Sequence, residues 1–266
     1  ITSKTSQNNK KVVESIISDV QKNGDSAVRK YEKKFTGTTI TTLRVSKNEI
    51  KDAYSRVTKD QTDAIKTVKT RLYKTESVLK KRLQGISITL DGTKIKKKFI
   101  PISSVGCYVP GGLAKYPSTA VMSIIPAKVV GVRRIVVVSP PNKNGKVDPL
   151  TLVAADICGA DEIYKTGGAQ AIAALCFGTK SISKVDKIVG PGGLFVTTAK
   201  SIISERTSID MVAGPTELAI IADASAEPDL VAKDLISQAE HSTDTRCYVI
   251  TTSRSFAQKV RNSVEQ

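Results

Sequence analysis

From about residue 103 onward the chain alternates short β-branched runs with stretches of small residues: SVGCYVP, STAVMSIIPAKVVG, RIVVVSPP, LTLVAADICGA, EIYKTGG, AQAIAALCFG, KIVGPGG and LFVTTAKSIISE. A run such as Ile135-Val136-Val137-Val138 has no polar side, so it must be covered on both faces. That is the condition of a strand in a parallel sheet built from βα units, and it predicts an α/β fold of the doubly wound or incomplete Rossmann-like type.

The flanking segments differ in period. Residues 1–85 read as helical, beginning with KVVESIISDVQKNGD, whose Val12, Val13, Ile16, Ile17 and Val20 form one apolar face closed by Gly24. A short strand, TTLRV, leads into Ser46-Lys47-Asn48-Glu49, the pattern of a capping box. A long helix follows with Ile65, Val68, Leu72, Leu79 and Leu83 as its stripe. At ISITLDGTKIKKKFIPI the period becomes two, and Asp91-Gly92 signals a hairpin turn. Beyond MVAGPTE come a strand LAIIA, a helix EPDLVAKDLISQAEH, a strand CYVITT and a last helix.

Three glycine pairs sit where predicted strands end: Gly111-Gly112, Gly167-Gly168 and Gly192-Gly193. In open α/β sheets ligands bind beyond the carboxyl ends of the strands, where glycine lets backbone N–H groups and helix N-termini approach phosphate oxygens. Each pair alone reads as a tight turn. Three on one sheet edge read as a nucleotide site, although the G-x-G-x-x-G fingerprint with a following acid is absent.

The one histidine lies in DLISQAEHSTDTR. On a helix Gln238 and His241, three residues apart, share a face, so a carbonyl oxygen and an imidazole nitrogen can converge on a metal ion. Two donors make half a zinc site. Glu240 and Asp244 beside it read as orienting groups or extra ligands, or as a solvated helix end.

Lysine and arginine number 41 against 25 acids, for a net charge of +16, which raises nucleic acid as a partner. The basic residues are spread over helix faces and the Lys96-Lys97-Lys98 run, aromatic residues are only 5%, and no base-reading motif occurs, so no nucleic-acid partner is expected. Cys107, Cys158, Cys176 and Cys247 form no C-x-x-C pair and read as free thiols of a reducing compartment. The apolar runs are too short to cross a bilayer and ITSKTSQNNKK lacks a secretory core, so the expected location is cytoplasmic, with no membrane partner.

GCYVPGG, GGAQAIAAL, KIVGPGG, DMVAGPTE and LISQAEH, in this order and at about this spacing, resemble the histidinol dehydrogenase family along essentially the whole chain. The resemblance implies an enzyme of histidine biosynthesis that oxidises L-histidinol through L-histidinal to L-histidine with two NAD and one Zn2+, as an intertwined homodimer. It implies two incomplete Rossmann-like domains with a helical N-terminal extension: 1–107 plus 217–266 as the first, with the zinc half-site, and 108–216 as an inserted NAD-binding domain. Gln238 and His241 correspond to zinc ligands and to substrate contacts, and Thr216 to a substrate-contacting hydroxyl usually held by serine. Tyr108 and Gln170 correspond to NAD-contacting positions. Gly193 stands at a third such position, where the family has asparagine, so one side-chain amide is missing. The Glu-His pair supplying the base, and the Asp and His completing the zinc shell, are expected beyond Gln266, and this chain alone is expected to be inactive. The alternative is a catalytically inactive homologue acting as a basic nucleic-acid or protein binding module; a third reading is an α/β dehydrogenase of another small alcohol.

Overall fold

The computed structural model of the protein describes residues 2–111, 115–212, 217–240 and 245–265, with side chains from Asn8 onward. They group into two compact units, 1–212 and 213–266.

The first unit begins with four helices: α1 (Thr2–Asn23), α2 (Asp25–Thr36), α3 (Lys47–Tyr54) and α4 (Lys59–Arg82). Gly24, at φ 53°, separates the first two in a backbone conformation that L side chains resist. The capping box opens α3 as expected: the Ser46 hydroxyl accepts from the Glu49 amide and the Glu49 carboxylate from the Ser46 amide. The expected strand at TTLRV is smaller than its β-branched content suggests. Only a bridge between Arg44 and Tyr164 forms, because this segment meets the sheet at its edge. Within the two helical stripes Val12, Val68, Leu79 and Leu83 are exposed, while Val13, Ile16, Ile17, Val20 and Ile65 are buried.

Asp91 and Gly92, both at positive φ, join β1 (Ile86–Leu90) to β2 (Thr93–Lys97) in an antiparallel hairpin with every residue exposed. Then come β3 (Ser104–Tyr108), α5 (Pro117–Val130), β4 (Arg134–Ser139), α6 (Pro149–Cys158), β5 (Glu162–Lys165), α7 (Gly168–Phe177), β6 (Lys187–Val189), α8 (Leu194–Ile203) and β7 (Ser208–Ile209). These strands form one sheet in the order β5-β4-β3-β6-β7, parallel throughout. Along β4 the side chains alternate between two cores. Val136 and Val138 pack with α1, α2, α7 and α8, whereas Ile135 and Val137 pack with α3, α4, α5 and α6. Both faces are covered, as the all-apolar strand requires.

The chain leaves β3 in one direction to β4 and β5, then returns across it to β6 and β7. The order reverses between β3 and β6, and there the carboxyl ends of neighbouring strands open a crevice.

The second unit holds β8 (Glu217–Ile221), α9 (Pro228–Ala239), β9 (Arg246–Ile250) and α10 (Arg254–Glu265). β8 and β9 are parallel, and Val231, Leu235, Phe256 and Val260 cover one face of the pair. Val13, Ile16, Val20 and Val28 share a core with Leu175 and Ile188, which ties the N-terminal helices to the five-stranded sheet. Among the described residues no helix is long and apolar enough to cross a membrane.

Candidate nucleotide site

Three loops reach the switch-point edge of the sheet: 109–111 after β3, 166–168 after β5 and 190–193 after β6. Pro140, just past β4, fills the space between the first two. A Cβ on Gly111 would lie 2.7 Å from its Cγ, and a Cβ on Gly167 2.6 Å from its Cβ. Side chains are excluded from both positions by packing. Tyr108 ties the same two loops together, since its buried phenol oxygen accepts from the Gly168 amide at 3.1 Å. Burial pushes that phenol up to about 12, so it stays neutral.

Gly168, at φ 61°, opens α7, and Gly193 opens α8. Neither helix has a side-chain cap from its own N-cap residue, but at α7 the Gly167 and Gly168 amides are already taken by Glu32 and the Tyr108 phenol, so it is the start of α8 that is placed to receive an anionic oxygen. Gly190, at φ 112°, approaches β3 so closely that a Cβ there would lie 2.1 Å from the Tyr108 carbonyl oxygen.

Three charged residues that gave no signal as site residues in the sequence brace these loops. Glu32, from α2, is wholly buried, and its Oε1 accepts from the Thr166 hydroxyl (2.7 Å), the Gly167 amide (2.8 Å) and the Gln170 side-chain amide (2.9 Å). Desolvation holds its carboxyl above the usual range despite those bonds. Lys200, from α8, is 4% exposed; its Nζ donates to the Gly190 carbonyl at 3.0 Å and pairs with Asp210. Asp210 in turn accepts from the Gly190 amide at 2.8 Å. The one clue to Glu32 was its spacing of four from Val28, on the apolar face of α2.

Of the expected NAD contacts, the structure brings Tyr108 and Gln170 together at Gly168, and places Gly193 at the N-terminus of α8. Gln170 is buried, and its Oε1 has no partner. A buried amide oxygen without a partner, on a loop tied to the end of β3, and the N-terminus of α8 without a side-chain cap supply an acceptor and donors of the kind a dinucleotide can use. Nothing lies within 4 Å of a Cβ on Gly193, whose φ of −66° suits any residue. Gly193→Asn is therefore expected to fold normally and, if the expected NAD contact at this position holds, to tighten NAD binding by about three- to tenfold, the worth of one added hydrogen bond. Calorimetric titration checks this.

The metal half-site is different. Gln238 lies half-buried in the last turn of α9, whereas His241, Asp244, Thr216 and Gly112 lie outside the described residues. One amide does not make a zinc site, and among the described residues no three His, Cys, Asp or Glu side chains group together. A cleft of about 520 Å³ opens at the other ends of β8 and β9, lined by Ile221, Ala222, Asp223, Ala226, Ile250, Thr251 and Thr252. Gln238 does not belong to it. Cys107, pushed up to about 12 by burial, is an unreactive core thiol.

Residues 2–266 match the family model described as histidinol dehydrogenase. The histidinol dehydrogenase of Methanocaldococcus jannaschii is 44% identical over 249 residues, covering 94% of this chain and 58% of that protein. That of Clostridium acetobutylicum is 45% identical over 257 residues, covering 96% and 59%. A crystal structure of histidinol dehydrogenase from Elizabethkingia anophelis matches with a TM-score of 0.90 at 38% identity, covering 96% of this chain and 59% of that one. The chain spans about three-fifths of the length of these relatives. A family model covering almost every residue, together with these identities, shows that the chain belongs to the histidinol dehydrogenase family.

Proposed function

We propose that this chain carries the nucleotide-binding part of an enzyme that oxidises L-histidinol through L-histidinal to L-histidine, consuming two NAD. The observation that supports it most is the set of glycine loops after β3, β5 and β6 at the carboxyl ends of the parallel strands, with the N-terminus of α8 free of a side-chain cap and the Gln170 oxygen buried without a partner. NAD, when bound, supplies the hydride acceptor. The protein's own part is placement. Tyr108 and Pro140 pack the loops together, the first amides of α8 hold phosphate oxygens, and Gln170 offers a buried acceptor. Gln238 and His241 are proposed as two zinc donors, and Thr216 as a substrate contact. The same resemblance supports a cytoplasmic homodimer. The binding-module reading has only the net charge in its favour.

Titration of the chain with NAD tests the nucleotide half: saturable binding is expected, and its absence counts against the assignment. For the metal half, His241→Ala in the full-length protein should lower zinc per subunit and histidinol oxidation together. Zinc content equal to wild type would remove His241 from the ligand set.

A further inference from the structure

Glu32 stands 138 positions before Gln170 in the sequence, yet it decides which end of that amide is free. A carboxylate oxygen only accepts hydrogen bonds, so the end of Gln170 facing it is the NH2 group. The opposite end, the carbonyl oxygen, is turned away from Glu32 and left without a partner, under the position where a Cβ on Gly168 would lie 2.8 Å away. Glycine at 168 lets that oxygen lie against the loop backbone, where a Cβ would collide with it. Glu32 also takes the amide of Gly167 and the hydroxyl of Thr166, so one carboxylate oxygen fixes both the loop and the amide mounted on it.

We infer that Glu32 is a positioning residue of the nucleotide site, which sets the polarity of Gln170 so that the ligand group docking there must donate a hydrogen bond. The inference rests on the NAD reading above. NAD carries such donors in its carboxamide, its adenine amine and its ribose hydroxyls. A leucine at position 32 fills a similar volume but accepts nothing. It would free the loop and let the Gln170 amide turn over.

The test combines two measurements on the whole chain: NAD affinity by calorimetry, and hydrogen exchange at the Gly167 and Gly168 amides without ligand. Glu32→Leu is expected to weaken NAD binding by about ten- to hundredfold and to speed exchange at both amides. Glu32→Gln retains a carbonyl acceptor and is expected to bind within about threefold of wild type, a rescue that shape-filling alone would not give. NAD affinity of Glu32→Leu within twofold of wild type overturns the inference, and so does a Glu32→Gln variant as weak as Glu32→Leu. Should Glu32→Leu fail to fold, Thr166→Val removes one of the three donors; about threefold weaker binding is expected, and unchanged binding overturns the inference. A wild-type chain that binds no NAD removes the assignment of the nucleotide site to this chain and the ligand half of this inference with it. Amide exchange then tells that outcome from failure of the clamp, which would leave Gly167 and Gly168 equally protected in wild type and variant.

Discussion

A Gly190→Ala variant is expected to lose about 2–6 kcal/mol of stability, from overpacking and backbone strain together, and, on the proposed NAD function, to bind NAD at least tenfold more weakly. Two independent costs meet at this residue. Its φ of 112° is a conformation that an L side chain rarely adopts, and the added Cβ would lie 2.1 Å from the Tyr108 carbonyl oxygen, well inside contact distance. Neither is relieved by turning a side chain, because the obstacle is backbone in the central strand β3. The loop after β6 must move instead, and with it the start of α8. Denaturant unfolding and NAD titration measure the two effects. Gly193→Ala, three residues on, is the control: with an ordinary φ and nothing within 4 Å of the new Cβ, it should match wild type in both. Wild-type behaviour of Gly190→Ala would show that the loop after β6 is not held against β3.

The second large effect is expected at Lys200. Replacing it with methionine keeps the length of the side chain and removes the charge. The Gly190 carbonyl then loses its donor, and Asp210 keeps its bonds to the Gly190 and Met211 amides but loses its cation. Breaking a fully buried pair costs about 3–5 kcal/mol; the Asp210 side chain is 30% exposed, so water offsets part of that, and about 2–3 kcal/mol is expected. Adding Asp210→Asn should recover part of the loss, because some of it is the cost of a carboxylate left unpaired. A double-mutant cycle by denaturant unfolding reads this directly, and strict additivity of the two changes would mean that the pair contributes nothing as a pair.

Both predictions concern residues that differ in how visible they were. The parallel sheet was legible because Ile135-Val136-Val137-Val138 admits no solvent face, and the hairpin because Asp91-Gly92 supplies two residues that tolerate positive φ. The glycine loops were legible as strand ends, and Tyr108 and Gln170 through their family motifs. Glu32 was hidden among Lys30, Lys33 and Lys34, where a glutamate looks like part of a charged surface; what buries it is a loop that the chain reaches more than a hundred residues later. Lys200 was hidden for a similar reason, since a lysine in the last turn of a helix ordinarily serves the helix dipole. Which sheet a helix covers depends on contacts between distant segments, and α1 and α2 carry no mark of their destination beyond an apolar stripe.

The origin of Glu32 in α2 has a consequence for how the fold can be cut and transplanted. A segment from Ser104 to Ile209 holds every strand of the parallel sheet and all three glycine loops, and looks like a portable nucleotide-binding cassette. It would leave behind the acceptor for Thr166, Gly167 and Gln170, together with the helices that cover Ile172 and Leu175. The module that nature can duplicate or a designer can graft therefore begins at the first helix, and its recognition loop travels only in the company of residues that no alignment of glycine motifs would include.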